Sequence, residues 1–381
     1  MTYSVYQHWD PLKVCIVGRS YPPEFYSWII VPHVRSLFEK IAMETEEDYQ
    51  NIIKKLQEFG VETLRPNLPK VDYLDGKYVP PPMTPRDYTI MIGKTFYNNY
   101  KIDSFNHFYD NIRQPGWKYC SNEDELNILL PNNIRDYVKL QYTEYKWKLQ
   151  SQNCYDHIFE HILNQGNILK IPNYNTSVNG AMVSRIGKDL YFGTNSYNED
   201  TSKSYQYVNI EFPDTRNHIV NTGGHGDGTY CPVCPGLIIS LADVPTYKDT
   251  FPGWEVVYLP GQSWVKIWPF LKLKEKNKGK WWIPGFENDQ AVIDVVEQWL
   301  GHWTGYVEET VFDVNMLIID PKNVMVFNYN KIVFDALARF GITPHIVPFR
   351  HRYFWDGGIH CVTSDLHREG TMQDYFPERS R

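Results

Sequence analysis

Cysteine is scarce in this chain, with six in 381 residues, at positions 15, 120, 154, 231, 234 and 361. The opening stretch Met1-Thr2-Tyr3-Ser4-Val5-Tyr6-Gln7-His8 has neither the basic nor the apolar segment of a secretory signal. These two absences argue against a disulfide scaffold and predict reduced thiols in a cytoplasmic protein. Long apolar runs are also missing, so no segment is expected to span a bilayer. There is no excess of positive charge: 38 Lys and Arg stand against 45 Asp and Glu, a net charge of −7 that argues against a nucleic-acid partner. A second C-x-x-C is missing, so Cys231-Pro232-Val233-Cys234 lacks the other half of a zinc site. Pro235-Gly236 follows it, where a redox pair would open a helix, so two buried structural thiols are expected. No low-complexity linker divides the sequence. With 42% hydrophobic residues it can build a sizeable core, and 1–381 reads as one domain.

What is present is a repeated unit. Tyr49, Ile52, Ile53, Leu56 and Phe59 fall on one face of a helix expected over 46–59. Gly60 stops it, and 61–64 reads as a strand closed by Arg65-Pro66. The same order recurs as a helix over 331–340, Gly341 and a strand over 342–348, and a weaker copy ends at 251–260. Such distant copies predict radially repeated modules rather than one doubly wound sheet. Further short strands are expected at 13–17, 89–92, 189–192, 237–240 and 315–319. The tract 97–152 interrupts the pattern with polar loops and a helix near 133–148.

Two polar knots carry chemistry. One is Asp356-Gly357-Gly358-Ile359-His360-Cys361-Val362-Thr363-Ser364-Asp365, where a Gly-Gly pair lets the backbone bend tightly just before a thiol. The other is Gly223-Gly224-His225-Gly226-Asp227-Gly228-Thr229. Together they hold a nucleophile, a base and a carboxylate, the parts of covalent catalysis by cysteine.

These knots belong to a longer series of blocks. Trp9-Asp10-Pro11-Leu12-Lys13-Val14-Cys15-Ile16-Val17-Gly18-Arg19 resembles the opening strand of the glycine and inosamine-phosphate amidinotransferases. Thr84-Pro85-Arg86-Asp87 resembles their Pro-Arg-Asp motif, and His225-Gly226-Asp227-Gly228-Thr229 their His-x-Asp-x-Thr block. Asn315-Met316-Leu317 with Val324-Met325-Val326 resembles a strand pair, and 357–365 the nucleophile motif. The resemblance implies an α/β fold, the pentein α/β propeller with fivefold pseudo-symmetric ββαβ modules, which agrees with the repeats. It also implies a homodimer.

A guanidinium is planar, cationic and a poor electrophile. Carboxylates must grip its N–H groups, a soft nucleophile must attack its carbon, and an acid must protonate the departing amine. The resemblance assigns attack to Cys361, which would hold the amidino group covalently, and acid/base work to His225. Asp87 and Asp227 would bind the guanidinium. The bland readings are an inert buried thiol for Cys361, a turn-capping loop residue for His225 and a salt bridge to Arg86 for Asp87. Asp365 and Arg368 read as a helix-start pair.

Four departures from the family pattern bear on substrate. Asn179 stands where an acidic residue normally orients the histidine; an amide oxygen can accept the imidazole N–H but supplies no charge. Val244 stands where an arginine normally clamps the donor carboxylate, and Arg350 is the first candidate to replace it. Thr222 and Gly224 occupy positions that narrow the pocket for glycine, and their small size leaves room for a larger amine. Glu308 and Glu309 align with a Ser-Ser pair, and two carboxylates there would favour an acceptor with a second positive charge; an exposed acidic turn is the alternative.

The expected function is transfer of an amidino group from a guanidine donor, arginine first, to a primary amine larger than glycine. A pentein-type guanidine hydrolase and a catalytically idle guanidine-binding protein are the alternatives. The chemistry is acid/base and covalent, so no cofactor or metal is expected. Asn179→Asp is expected to be tolerated or activating. A large fall in kcat/KM with the fold intact would show instead that the amide is tuned to the substrate.

Overall fold

The computed structural model describes residues 1–70, 73–74, 77–79, 81–98, 154–171, 178–194, 201–222, 225–241, 247–259, 285–286, 288–299, 311–355 and 357–379. Strand β1 (Leu12–Val17) leads into helix α1 (Pro32–Glu58) and strand β2 (Glu62–Leu64). A small hairpin, β3 (Tyr73–Leu74) and β4 (Lys77–Tyr78), precedes the next unit. That unit is β5 (Thr89–Ile92), β6 (Thr95–Asn98), α2 (Asp156–Asn164) and β7 (Ile168–Lys170). Then come β8 (Val183–Ile186), β9 (Asp189–Thr194), α3 (Thr201–Glu211) and β10 (Arg216–Asn221). They are followed by β11 (Tyr230–Cys234), β12 (Leu237–Ser240), α4 (Tyr247–Thr250) and β13 (Glu255–Tyr258). After α5 (Gln290–Trp299), the last full unit is β14 (Leu317–Asp320), β15 (Asn323–Val326), α6 (Lys331–Arg339) and β16 (Thr343–Ile346). Strand β17 (Thr363–Arg368) ends the series by pairing antiparallel with β1, Val17 opposite Thr363.

The result is a mixed α/β structure with five three-stranded sheets. In each, an antiparallel pair is followed by a helix and a strand parallel to the second. The repeat seen three times in the sequence is therefore a ββαβ unit present five times, the first completed by β17. Strands β5 and β12 have the expected bounds, and the expected helix over 133–148 lies outside the described residues. Gly60 and Gly341 adopt φ of 72° and 70°, the left-handed backbone that ends α1 and α6 and turns the chain into β2 and β16. Asn330 caps α6 by accepting the N–H groups of Ile332 and Val333, a cap worth about 1 kcal/mol.

Helix α1 begins at Pro32, well before the expected start at 46, with a proline in its first turn. Its stripe of Val34, Phe38, Ile41, Tyr49, Ile52 and Leu56 packs against Phe327, Phe349, Phe354 and Trp355. Two polar residues inside the stripe hid its length. Thr45 accepts the Trp355 indole N–H at 2.8 Å, and Asp48 accepts from Arg350. Among the described residues no helix is long and apolar enough to cross a membrane.

An ionic cluster lies where the first strands meet. Asp365 sits on β17, not at a helix start as the sequence suggested. It receives Arg86 Nη1 at 2.8 Å, Arg185 Nη2 at 2.8 Å and Arg368 Nε at 2.6 Å. All four side chains are fully buried. Burial alone would raise the Asp365 carboxyl; Arg185, Arg86 and Arg368 instead hold it well below the usual carboxylate range. The guanidinium groups reach onward to Met91 O, Ile318 O and Asp10 O, stitching β5 and β14 to β17.

Asp365→Asn leaves three buried guanidinium groups facing a neutral amide. The expected cost is about 3–5 kcal/mol in urea unfolding followed by tryptophan fluorescence. Because the folded carboxyl is depressed, this contribution is present above about pH 4 and lost as pH falls through the folded pKa. A loss below about 1 kcal/mol would show that the cluster is dispensable.

Candidate active site

Each unit presents one candidate side chain from the turn just ahead of its first strand. Asp87 precedes β5, Asn179 precedes β8, Asp227 precedes β11, Asn315 precedes β14 and Cys361 precedes β17. These lead-in turns lie outside the ladders, so their polar groups bond one another. Arg86 N donates to Cys361 O at 3.4 Å, Ala181 N to Arg86 O at 3.2 Å and Asp227 N to Ala181 O at 3.0 Å. Asn315 closes the ring with its side chain, Nδ2 donating to Asp227 O at 3.2 Å. Its Oδ1 accepts from His360 N at 2.8 Å and Cys361 N at 3.1 Å. Arg86 fixes the nucleophile turn from below, its Nε donating to the carbonyls of His360 and Thr363, both at 2.8 Å.

Glycine is needed at 358 for a reason other than a tight bend. A Cβ there would stand 2.2 Å from Asn315 Oδ1, so the residue admits the asparagine.

Cys361 Sγ lies 3.1 Å from Asn315 Nδ2 and 3.5 Å from Asp227 Oδ2. Asp227 Oδ2 also meets His360 Nδ1 at 2.8 Å, while its Oδ1 is buried with no hydrogen-bond partner among the described residues. Asp87 Oδ1 lies 3.7 Å from His225 Nδ1, and the imidazole is 48% exposed, open to incoming molecules. Burial, then Asp227 and Asp87, push the Cys361 thiol well above the usual range. Burial, reinforced by Asp87 against the pull of His225 and Arg86, lifts the Asp227 carboxyl to about 6. Burial, followed by Arg86 and His8, pushes His360 far down, so this imidazole is neutral and donates Nδ1–H to the Asp227 carboxylate. The arrangement is a buried thiol beside anionic oxygen, a setting suited to a flat cation with an electrophilic carbon.

No family model matches the chain. Glycine amidinotransferase of Xenopus tropicalis is 25% identical over 202 residues, covering 50% of this chain and 39% of that protein. L-arginine:L-lysine amidinotransferase of Pseudomonas savastanoi pv. phaseolicola is 23% identical over 218 residues, 55% of this chain and 49% of that protein. The chain thus spans at most about half the length of these curated relatives. Among solved structures, an amidinotransferase of the saxitoxin biosynthetic pathway from Microseira wollei aligns over 99% of this chain and 100% of its own. Its TM-score is 0.60 at 16% identity. Inosamine-phosphate amidinotransferase from Streptomyces griseus gives the same score and identity over 98% of this chain and 99% of its own. The chain is related to the amidinotransferases.

Against that relationship, the residues singled out in the sequence fall into three groups. Cys361 contacts Asp227 and His225 contacts Asp87, and the field of Asp87 acts on both Asp227 and Cys361. Others have different work in the structure. Arg350 is held on α1, donating to Asp48, Glu47 and the Glu44 carbonyl. Asp48 and Glu47 push its pKa up, against burial, and the guanidinium is committed there rather than left free for a donor carboxylate. The Asn179 oxygen accepts from Ala181 N at 3.1 Å and Met182 N at 2.9 Å, capping the turn into β8, while the imidazole of His225 faces Asp87. Arg86 pairs with Asp365 and not with Asp87. Thr222 is buried, its hydroxyl donating to Thr194 O. Gly224, Val244, Glu308 and Glu309 lie outside the described residues. Cys231 and Cys234 are buried on β11, where desolvation pushes their thiols up to about 12 and about 11, as expected of structural cysteines.

Two residues received no role in the sequence reading: Asn315 and His360. Asn315 stands two residues before β14, as Cys361 stands two before β17. Superposing the repeats on the sequence would have flagged it.

Capture of Cys361 by iodoacetamide, read by peptide mass spectrometry, is expected to be slow at pH 7. It should rise roughly tenfold per pH unit to at least pH 9. A plateau already reached at pH 7 would mean that the unliganded thiol is not suppressed by its carboxylates.

Proposed function

We propose that this protein transfers an amidino group from a guanidine donor, arginine first, to a primary amine through an amidino-Cys361 intermediate. The observation that carries the reading is the buried thiol set against Asp227 and under the field of Asp87, with Asp227 Oδ1 left without a partner among the described residues. A guanidinium offers N–H donors for those oxygens and a carbon for the sulfur. Its charge also offsets the anions that hold the thiol proton on, so the donor itself promotes thiolate formation.

The steps then follow from the groups present. The Sγ proton leaves by way of Asp227 Oδ2, to which the thiol donates, and is taken up by His225. The sulfur electron pair forms a bond to the guanidinium carbon, and a C=N pair moves onto nitrogen. As the C–N bond to the donor breaks, His225 returns its proton to the departing nitrogen, which leaves as a neutral amine. The amidino group remains on sulfur as a cationic thiouronium. An acceptor amine gives a proton to His225, its nitrogen bonds to the carbon, and the C–S bond breaks to return the thiolate.

The Pseudomonas relative, named for arginine and lysine, supports arginine as donor and an amine larger than glycine as acceptor. The same reading takes the five ββαβ units as the blades of a pentein propeller, supported by the hydrogen-bond ring of the lead-in turns.

The test is incubation with arginine, with and without a panel of amines including glycine, lysine, a diamine and an amino sugar. Products are read by mass spectrometry with Cys361→Ala as the control. Ornithine together with an amidinated amine, and parallel double-reciprocal plots, are expected. Citrulline, or ornithine with ammonia, formed without any amine would make the protein a hydrolase. Absence of turnover would leave a guanidine-binding protein.

A further inference from the structure

Asn315 makes contacts that ring closure alone does not require. It is 1% exposed, and all of its amide hydrogen-bonding groups are used. The orientation of the amide is fixed by chemistry. Oδ1 faces two backbone N–H donors, so a flipped amide would set its NH₂ against them. One Nδ2 hydrogen goes to Asp227 O, which leaves the other for Cys361 Sγ at 3.1 Å. Three bonds therefore aim a neutral N–H donor at the sulfur before any reaction occurs. Acidic groups also bear on that sulfur: Asp227 Oδ2 touches it and Asp87 acts on it from further away. A thiol donates its own hydrogen to Asp227 and gains little from Asn315. A thiolate has the Asn315 N–H and the Gly358 backbone to set against those anions.

The geometry points to Asn315 as a catalytic residue whose Nδ2–H holds Cys361 Sγ in its thiolate form. The donor is already oriented, so no reorganisation is needed when charge develops. Alkylated sulfur is a poor acceptor. The bond therefore favours the free thiolate over the amidino-enzyme and assists departure of sulfur in the second half-reaction. This last consequence rests on the amidino-transfer reading; the effect on ionisation does not.

The experiment therefore measures ionisation without substrate. Thiolate absorbance at 240 nm, taken against Cys361→Ser, and the pH profile of iodoacetamide capture are recorded for wild type, Asn315→Ser and Asn315→Asp. Asn315→Ser withdraws the donor without adding charge, and Asn315→Asp withdraws it and adds an anion. The expected result is a Cys361 midpoint raised by about one pH unit or more, with capture at pH 8 slowed about tenfold, in Asn315→Ser and further in Asn315→Asp. An unchanged midpoint in folded Asn315→Ser, whatever its thermal stability or turnover, overturns the proposal and leaves Asn315 as a ring-closing group. In selectively ¹⁵N-asparagine-labelled wild type, one side-chain amide should titrate with the Cys361 midpoint and fail to do so in Cys361→Ser. The absence of such a signal also overturns the proposal, and this measurement needs no Asn315 variant to fold. A shifted midpoint in a protein that turns over no guanidine supports the role of Asn315 and removes the transferase reading. Turnover with an unshifted midpoint does the reverse.

Discussion

Asp365 is one buried carboxylate shared by three guanidinium groups, and much of the structure is arranged around that charge. Its partners come from three of the five units, and a fourth unit is held through Arg368 and Ile318 O. Arg86 is the pivotal partner. The guanidinium that neutralises Asp365 also takes the carbonyls on both sides of Cys361, so the ionic centre and the nucleophile turn are one construction. Buried ion clusters are poor sources of net stability, because desolvation offsets most of the Coulomb attraction. What this one supplies is register: an orphaned guanidinium in the interior is costly, so wrong dockings of the units are disfavoured.

The molecule thus carries two charge layers of opposite character. In the ionic cluster the positive groups outnumber the anion they surround. At the lead-in turns, Asp87 and Asp227 press on a thiol and Asp87 presses on Asp227, raising the protonation tendency of both. Such a site is incomplete in the electrostatic sense, and a ligand that brings planar positive charge relieves it. The two histidines differ in exposure. His360 is buried and bound to Asp227, whereas His225 is half exposed and faces Asp87.

Much of this was legible in the residues, and the failures have physical causes. The helix–glycine–strand repeats gave the units because helix period and left-handed glycine are local signals. Cys361, His225 and Asp227 stood out because reactive side chains beside glycines are unusual, and Asp87 through the resemblance of its Pro-Arg-Asp motif. Asn315 did not, because an asparagine near a strand end usually only caps a turn, and its function depends on contacts far away in sequence. Asp365 and Arg368 were misread because charges on a strand buried on both faces run against every local expectation; only Arg86 and Arg185, distant in sequence, make that burial tolerable. Arg350 was the first candidate to replace the arginine expected at Val244, and the acidic residues of α1, distant in sequence, engage it.

The antiparallel pairing of β1 with β17 joins Leu12 to Arg368, across nearly the whole sequence. Cys361 and Asp365 both ride on the segment that makes this final join. Until it docks, the nucleophile has no Asn315 amide beside it, Arg86 and Arg185 have no counter-ion, and the ring of turns is open. Completion of the fold and assembly of the site are therefore one event. A partly folded chain has the thiol but not the site around it, and the pairing that builds the site is of high contact order.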